Sequence, residues 1–195
     1  MNGAAFDGVA WAYDAFMRTF GLYKDNVVLE ALNLKGNELV VDLGGGTGHY
    51  AALLAPFCKG VTVVDVSRSM LGNVPPIPNI QVLRADALDT GLDSKSFDVA
   101  LITDALHHIP HHDDLVAEAR RILKPDGRLL ILDIHAAYVR TRLLDLFERT
   151  VFGEVSYLTC AQASELISRH GFHIELTTDG WLYLVMGRKN RLSAG

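Results

Sequence analysis

Residues 40–50 read VVDLGGGTGHY, and this stretch sets the architecture expected of the chain. The apolar residues before the glycines are typical of a buried strand, and the residues after them suit the start of a helix. Glycine tolerates positive φ and lets a ligand lie directly against the backbone. A helix that begins there would point its unpaired N–H groups at that ligand. The stretch therefore predicts a strand, a ligand-binding turn and a helix, in that order.

Similar apolar segments recur along the chain and alternate with helical ones. Strands are predicted at 38–43, 60–66, 79–86, 97–103, 127–134, 172–178 and 181–188, and helices at about 47–56, 67–72 and 111–123. This alternation implies right-handed crossovers and a mostly parallel sheet. Asp179–Gly180 lies between the last two strands and predicts a two-residue hairpin turn. The expected fold is α/β, a Rossmann-like, seven-stranded, mostly parallel sheet with helices on both faces and a C-terminal antiparallel hairpin strand.

The composition argues against several classes of protein. Of 195 residues, 49% are hydrophobic and 21% are charged, which suits one globular domain. The formal net charge is -5 and no basic run is present, so nucleic acid is not an expected partner. The only cysteines, Cys58 and Cys160, support neither a disulfide framework nor a thiolate metal site. The chain lacks a long apolar stretch and signal-peptide features, so we expect a cytoplasmic protein with no membrane span.

The spacing of the glycines distinguishes between ligands. A dinucleotide-binding turn has the pattern G-x-G-x-x-G, but starting from Gly44 its last glycine would fall on His49. The pattern here is D-x-G-x-G-x-G, led by Asp42, and it resembles motif I of the class I S-adenosyl-L-methionine (SAM)-dependent methyltransferases. A carboxylate beside the turn suits the cationic amino-acid end of SAM. The resemblance implies SAM as the cofactor and S-adenosyl-L-homocysteine as the product.

The resemblance extends from about residue 6 to residue 188 and rests on several ordered motifs. Besides the glycine turn, these are FD-x-x-A-x-x-YD at 6–14, LHHIP at 106–110 and LKPDGRLLILD at 123–133. Of these, the motifs at 6–14 and 106–110 are most similar to those of the small-molecule methyltransferases of the ubiquinone/menaquinone-biosynthesis type. The implied function is transfer of a methyl group from SAM to a small acceptor.

Several residues are expected to contact the cofactor. Asp65 ends the second strand, 21 positions beyond the first glycine of the turn, where a carboxylate can bind both ribose hydroxyls. By the resemblance, Asp86 meets the adenine amino group and the N–H of Ala87 meets the ring. Met70 matches a position that packs against adenine or ribose, with an ordinary core methionine as the alternative, and Tyr13 matches one that closes over the amino-acid end. The predicted cofactor-binding set is Tyr13, Asp42, Gly44, Gly45, Gly46, Thr47, Gly48, Asp65, Val66, Met70, Asp86, Ala87 and Thr103.

Four histidines follow the fourth strand in the pattern H-H-x-x-H-H, residues 107–112. Histidines four apart can bind a metal from one helix face, but Pro110 interrupts any helix through the cluster, so no metal site is predicted. His107 and His108 follow a strand edge where doubly wound folds place reacting groups, and either is a candidate catalytic base. A structural role in the loop is the alternative. The second histidine pair is expected to be exposed at the start of the next helix.

The chain is expected to form a single methyltransferase domain, residues 1–195. Its predicted parts are an N-terminal helical cap (1–36), a SAM-binding core (37–134), a helical insertion that caps the substrate (135–170) and a closing hairpin (171–189). Aromatic and apolar side chains in both caps favour a small, apolar or aromatic acceptor. The protein is expected to act as a monomer or a homodimer.

Two other functions stay open at this point. A non-catalytic SAM-binding protein would keep the same motifs. A nicotinamide-dependent oxidoreductase shares the order of strand, glycine turn, helix and acid, although the glycine spacing disfavours it. The sequence does not determine the methyl acceptor, the methylated atom or the need for a base.

Overall fold

The structure, a computed structural model, describes residues 17–19, 21–138 and 155–190. The strands are β1 (Leu39–Leu43), β2 (Gly60–Asp65), β3 (Ile80–Arg84), β4 (Phe97–Thr103), β5 (Leu123–Ile134), β6 (Phe172–Thr178) and β7 (Leu182–Lys189). The helices are α1 (Asp25–Leu32), α2 (His49–Leu54), α3 (Arg68–Leu71), α4 (His112–Ile122) and α5 (Cys160–Arg169). Short 3-10 helices follow α2 at Ala55–Phe57 and β4 at Leu106–His108.

These strands form one seven-stranded sheet in the order β3-β2-β1-β4-β5-β7-β6. The first five strands pair in parallel, whereas β7 runs antiparallel to both β5 and β6. The predicted seven-stranded, mostly parallel sheet is therefore confirmed. The carboxyl ends of β1, β2, β4 and β5 lie at one edge of the sheet, which is where folds of this kind bind their ligands.

The C-terminal hairpin is present, but its loop is wider than the predicted two-residue turn at Asp179–Gly180. The last register pair of β6 and β7 joins Thr178 to Leu184. The start of β7 extends beyond β6 because it pairs with the end of β5 instead, Tyr183 lying opposite Asp133. Pairing with the neighbouring central strand, which no local turn signal reports, sets the width of this loop.

The predicted element positions otherwise agree with the structure to within a few residues, except at the start of β5. This strand begins at Leu123 rather than at 127. Leu123 pairs with Phe97 of β4, and a register shift follows before regular pairing resumes at Arg128. Asp126 has a φ of 63° inside this irregular stretch. Residues 124–127, which precede the predicted start, are thus part of the strand.

Apolar side chains cover both faces of the sheet. Successive side chains of a strand point to opposite faces. Accordingly, Val41 and Ile131 belong to the core layer that includes α4 and α5, whereas Val40 and Leu130 belong to the layer that includes α1 and α2. Burial on both faces explains why the strand segments are apolar at consecutive positions. Acidic side chains at the strand ends interrupt this pattern and mark the site.

The two predicted caps lie partly outside the described residues. Tyr13 is among those outside, and so are residues 139–154 of the predicted substrate cap. The described parts include α1, which lies in the predicted N-terminal helical cap, and α5, which lies in the predicted substrate cap. None of the helices within 17–19, 21–138 and 155–190 is long and apolar enough to cross a membrane. Cys58 and Cys160 are buried and form no disulfide.

Candidate functional site

A tight turn joins β1 to α2 and contains the four glycines of the motif. Gly46 has a φ of 54°, a left-handed conformation that suits glycine. A Cβ atom on Gly45 would lie 2.7 Å from Cγ of Asp42, so no side chain fits there. The N–H groups of Gly44 and Gly45 donate to the carbonyl of Val64 at 2.8 and 3.2 Å. The turn is therefore held against the ends of β1 and β2.

Asp42 lies near the end of β1, beside this turn. It is 1% exposed, and neither of its carboxylate oxygens has a hydrogen-bond partner within the described part of the chain. The pKa of Asp42 is raised from 3.8 to about 7, mainly by burial and in part by the negative charge of Asp65. A buried carboxylate without a partner is costly, so this group is suited to a cationic ligand.

Asp65 ends β2 and connects the glycine turn to the next helix. Its Oδ2 accepts the N–H of Gly46 at 3.0 Å, and its Oδ1 accepts the N–H of Ser67 at 2.8 Å. Each carboxylate oxygen has a second lone pair. Asp65 therefore shapes the turn, at the strand end where a ribose-binding carboxylate is predicted.

The residues that follow Asp65 are more deeply buried than a simple ligand-facing loop would be. Met70 is 1% exposed, and its N–H donates to Oγ of Ser67, which caps α3. Val66 is half-buried, and its carbonyl accepts Nε of Arg84 at 3.1 Å. The burial of Met70 agrees with both of its predicted roles, packing against the ligand and packing in the core.

The remaining predicted contacts differ in exposure. Asp86 is exposed, and its Oδ1 accepts the N–H of Leu88 at 3.0 Å. Ala87, Thr47 and Thr103 are buried, the last at the end of β4. The predicted adenine end of the site is thus open at Asp86, whereas the end beside Asp42 is closed.

A buried imidazole–carboxylate pair lies at the ends of the neighbouring strands β4 and β5. Nδ1 of His107 lies 2.6 Å from Oδ1 of Asp133, and both side chains are 1% exposed. The N–H of His107 donates to Oδ2 of Asp133 at 3.1 Å, and the N–H of Ile134 donates to Oδ1 at 2.6 Å. Three hydrogen bonds therefore hold the carboxylate, and the imidazole supplies one of them.

The other histidines of the cluster have different surroundings. The His108 ring lies 4.0 Å from the His107 ring; burial lowers the pKa of His108 well below 6.5, and His107 lowers it further. His111 is exposed, as expected. His112 is half-buried, and its Nε2 lies 3.1 Å from the carbonyl of Leu106. The expectation that both His111 and His112 are exposed is therefore wrong for His112, because the preceding 3-10 helix folds back onto it.

The described C-terminal part of the predicted insertion, residues 155–170, packs on His107. The Tyr157 ring stacks on the imidazole with centroids 5.0 Å apart and planes 17° apart. The N–H of Ser156 donates to the carbonyl of His107 at 2.8 Å. The N–H of Ala136 donates to the carbonyl of Leu158 at 3.0 Å. Residues 156–158 are thus joined both to His107 and to the segment after β5.

One group among the described residues has a geometry that could hold a metal ion. Asp104, His107 and Asp133 each bring one ligand atom to within 4.8 Å of the others. Asp104 has a φ of 51°, uncommon for a residue other than glycine, and its N–H donates to the carbonyl of Leu132 at 2.9 Å. The three hydrogen bonds already accepted by Asp133 favour a proton-holding pair over a metal centre. The absence of a metal stays a prediction.

Known proteins share this architecture. A family model described as a methyltransferase domain matches residues 41–131. The ubiquinone/menaquinone biosynthesis C-methyltransferase UbiE of Haemophilus ducreyi is 23% identical over 193 residues, covering 92% of this chain and 70% of the relative. UbiE of Brucella canis is 31% identical over 155 residues, covering 74% of this chain but only 53% of the relative. The crystal structure of a SAM-dependent methyltransferase from Thermotoga maritima has a TM-score of 0.80 at 20% identity, covering 96% of this chain and 99% of that one.

The chain is therefore similar to the class I SAM-dependent methyltransferases over most of its length. The match begins within β1, next to Asp42, and ends within β5, so it contains the glycine turn, Asp65 and His107. SAM is the cofactor named for the Thermotoga maritima protein, and it is the cofactor that we propose for this chain. The assignment of individual cofactor contacts rests on the geometry and stays a prediction.

The residues of this methyltransferase fit SAM. The ammonium group of SAM needs a carboxylate, and Asp42 is a buried carboxylate that lacks a partner in the described structure. The missing side chain at Gly45 keeps the backbone open beside Asp42. Asp65 would hold the ribose hydroxyls, because a carboxylate can accept several hydrogen bonds. Asp42 would thus bind the ammonium group of the cofactor, and Asp65 would bind its ribose.

Replacing Asp65 by alanine should weaken SAM binding by about 1.5–3 kcal/mol, which is roughly 10- to 150-fold in Kd. The variant loses the acceptors for the ribose and also the anchor of the Gly46 N–H. Isothermal titration with SAM measures the effect, and the exposed Asp93→Ala is the matched control. An Asp65→Ala variant that binds SAM as tightly as the control would remove Asp65 from the cofactor site.

Sequence reasoning missed Asp133, although a usable signal was present. Asp133 lies near the end of an apolar strand, as Asp42 and Asp65 do, and the same argument from strand ends applies to it. No comparable sequence signal predicts the burial of Tyr183, whose hydroxyl lacks a hydrogen-bond partner in the described structure. Its burial follows from the place of β7 between β5 and β6.

Proposed function

We propose that this methyltransferase transfers the methyl group of SAM to a small, apolar or aromatic acceptor, and that His107 takes the proton that the acceptor loses. The observation that carries the proposal is the buried pair of His107 and Asp133 at the carboxyl ends of β4 and β5. Strand β4 also pairs with β1, so this pair and the cofactor turn lie at the same edge of the sheet.

The chemistry asks little of the protein beyond orientation and proton removal. SAM, when bound, supplies a methyl group on a sulfonium, a good leaving group that needs no acid. The chain must then align the acceptor, exclude water and provide a group that holds a proton. Asp42 and Asp65 serve the first of these tasks by binding the cofactor, and His107 serves the last.

The geometry favours His107 over His108 as the base. A base that gains a proton becomes an imidazolium, and Asp133 at 2.6 Å from the His107 ring stabilises that charge. His108 has the opposite surroundings, because burial and the adjacent His107 lower its pKa. A neutral His108 suits contact with the acceptor rather than proton storage.

A small apolar cluster supports the proposed class of acceptor. Met17, Leu22 and Ile134 are buried together, and Tyr157 and Trp181 pack against them. The cluster joins side chains of both proposed caps, 1–36 and 135–170, to the end of β5 and to the closing hairpin. Apolar and aromatic walls favour an acceptor of the same character.

The names of the relatives refine the acceptor. Both UbiE proteins are named as C-methyltransferases of ubiquinone/menaquinone biosynthesis. An aromatic ring that carries a hydroxyl group is therefore the acceptor that we propose to test first, since its proton is one that a histidine can remove. The proposal also includes one domain capped by 1–36 and 135–170, a monomer or homodimer as the acting form, and the cytoplasm as the place of action.

The test has two steps. Isothermal titration should show binding of SAM and S-adenosylhomocysteine but not of NADH. SAM with a tritiated methyl group is then incubated with the protein and 1,4-dihydroxynaphthalene or catechol, and in parallel with transfer RNA or a lysine-rich peptide. We expect label in the small aromatic molecules. Label only in the polymers would overturn the proposed acceptor class, and bound SAM with no transfer to any acceptor would favour the non-catalytic alternative.

A further inference from the structure

We propose that Asp133 is a positioning residue for His107: it fixes the imidazole as the Nδ1–H tautomer, so that Nε2 is the atom that receives the proton of the acceptor. This inference deepens the proposed function and rests on it for the catalytic role of His107. The orientation and tautomer of the imidazole are properties of the chain itself and are testable without an acceptor.

The hydrogen bonds around Asp133 determine the tautomer. Two backbone N–H groups, those of His107 and Ile134, donate to its two carboxylate oxygens. A carboxylate held by such donors acts as an acceptor. Nδ1 of His107, 2.6 Å from Oδ1, must therefore carry the hydrogen of that contact. In a neutral imidazole only one ring nitrogen is protonated, which leaves the lone pair on Nε2.

Two further contacts restrict the ring. The carboxylate is bonded both to the side chain and to the backbone N–H of His107, so the imidazole lies in a fixed direction from its own main chain. Tyr157 stacks on the ring with planes 17° apart, which limits rotation about the axis of the side chain. A base that is already oriented loses little freedom when the acceptor binds.

The carboxylate also balances the charge of the reaction. As the acceptor gains a methyl group, it loses a proton to Nε2, and its new bond uses the electron pair that held the proton. The electron pair of the broken carbon–sulfur bond stays on sulfur, so the positive charge is lost from the cofactor and appears on His107. The resulting imidazolium lies 2.6 Å from the Asp133 carboxylate in a buried site, where such a pair is most effective.

The first test is nuclear magnetic resonance of the ¹⁵N-labelled full chain, without acceptor. Two-bond ¹H–¹⁵N correlations assign the His107 tautomer in the natural chain and in Asp133→Asn. We expect Nδ1–H in the natural chain, and in the variant an acid dissociation constant of the imidazolium at least about tenfold larger. Asp98→Asn is the matched control, because Asp98 binds the N–H of Leu39 and Lys124 at the opposite edge of the sheet.

The outcomes separate this inference from the proposed function. An Nε2–H tautomer in the natural chain, or unchanged His107 titration in Asp133→Asn, would overturn the inference even if SAM binds and methyl transfer occurs. The tautomer of the natural chain decides the question if the variant does not fold. Failure of SAM to bind would instead overturn the proposed function and leave the tautomer measurement intact.

The second test measures turnover with the aromatic acceptor that is labelled in the screen. Asp133→Asn should lower kcat at least about 100-fold, because an amide at this position favours the other tautomer. Its Kd for SAM should equal that of Asp98→Asn, and the turnover of Asp98→Asn should equal that of the natural chain. Equal kcat values for the two variants would contradict a positioning role.

Discussion

Above pH 7, the Asp42→Asn variant should be about 4 kcal/mol more stable than the natural chain and should bind SAM more weakly. The pKa of Asp42 is raised from 3.8 to about 7 by burial and by the charge of Asp65. The folded chain therefore keeps a proton on Asp42 at pH values where the unfolded chain has released it. A difference of about three pKa units corresponds to about 4 kcal/mol.

The sign of the pH dependence follows from the direction of this shift. Below pH 4 Asp42 is protonated in both states and costs nothing through ionisation. Between pH 4 and 7 the unfolded state gains by releasing the proton, so the natural chain loses stability as the pH rises, and above pH 7 the full loss is present. The variant has no group to ionise there, so its advantage should appear over this window.

Chemical denaturation at pH 4, 5.5 and 8 measures the effect. The control is Asp93→Asn, which removes an exposed carboxylate and should follow the natural chain at each pH. Curves for Asp42→Asn and the natural chain that stay parallel from pH 4 to pH 8 would contradict the raised pKa of Asp42.

SAM binding should show the complementary behaviour. In the proposed site the ammonium of SAM binds the ionised form of Asp42, so the affinity of the natural chain should fall as the pH drops below 7. Loss of the charge-assisted contact should weaken binding by about 1.5–3 kcal/mol in Asp42→Asn and remove most of this pH dependence. Tyr50 does not compete in this range, because burial raises its pKa above the usual 10. Titration at pH 6 and 8 gives both results.

Replacing His107 by asparagine should lower kcat by about 10²- to 10⁴-fold, the usual contribution of a general base. The asparagine amide can still donate to Asp133, which avoids leaving that buried carboxylate without its side-chain partner. The Kd for SAM should not change, because the residues proposed to hold the cofactor are Asp42 and Asp65. Turnover of the labelled aromatic acceptor and titration with SAM measure the two quantities.

The matched control is His108→Asn, one residue further along the same 3-10 helix. It should reduce turnover far less, since burial and the adjacent His107 lower the pKa of His108 and so disfavour a positive charge on its ring. If the two variants lose activity equally, both histidines contact the acceptor and neither is distinguished as the base. If neither loses activity, the acceptor is already ionised when it binds and no base is needed.

Features that depend on neighbouring residues could be predicted from the sequence. The glycine turn needs positive φ and space, and both requirements are written in neighbouring residues, so its place between β1 and α2 was predictable. Neighbouring residues alone were insufficient where a distant strand intervenes. The hairpin loop is wider than the Asp-Gly signal suggests because β7 also pairs with β5, and His112 is half-buried because Leu106 lies next to it.

The amino-acid order alone was enough to establish the α/β sheet, the glycine turn and the carboxylates at the ends of β1 and β2. The spacing of apolar residues and the conformational freedom of glycine are properties of residues a few positions apart, so they can be read without knowing the tertiary fold. The pairing of His107 with Asp133 spans 26 positions, and the lack of a hydrogen-bond partner for Asp42 among the described residues depends on every neighbour around it. Sheet order and register create these relations, because they bring the ends of separate strands to one buried edge where water cannot replace a missing hydrogen bond.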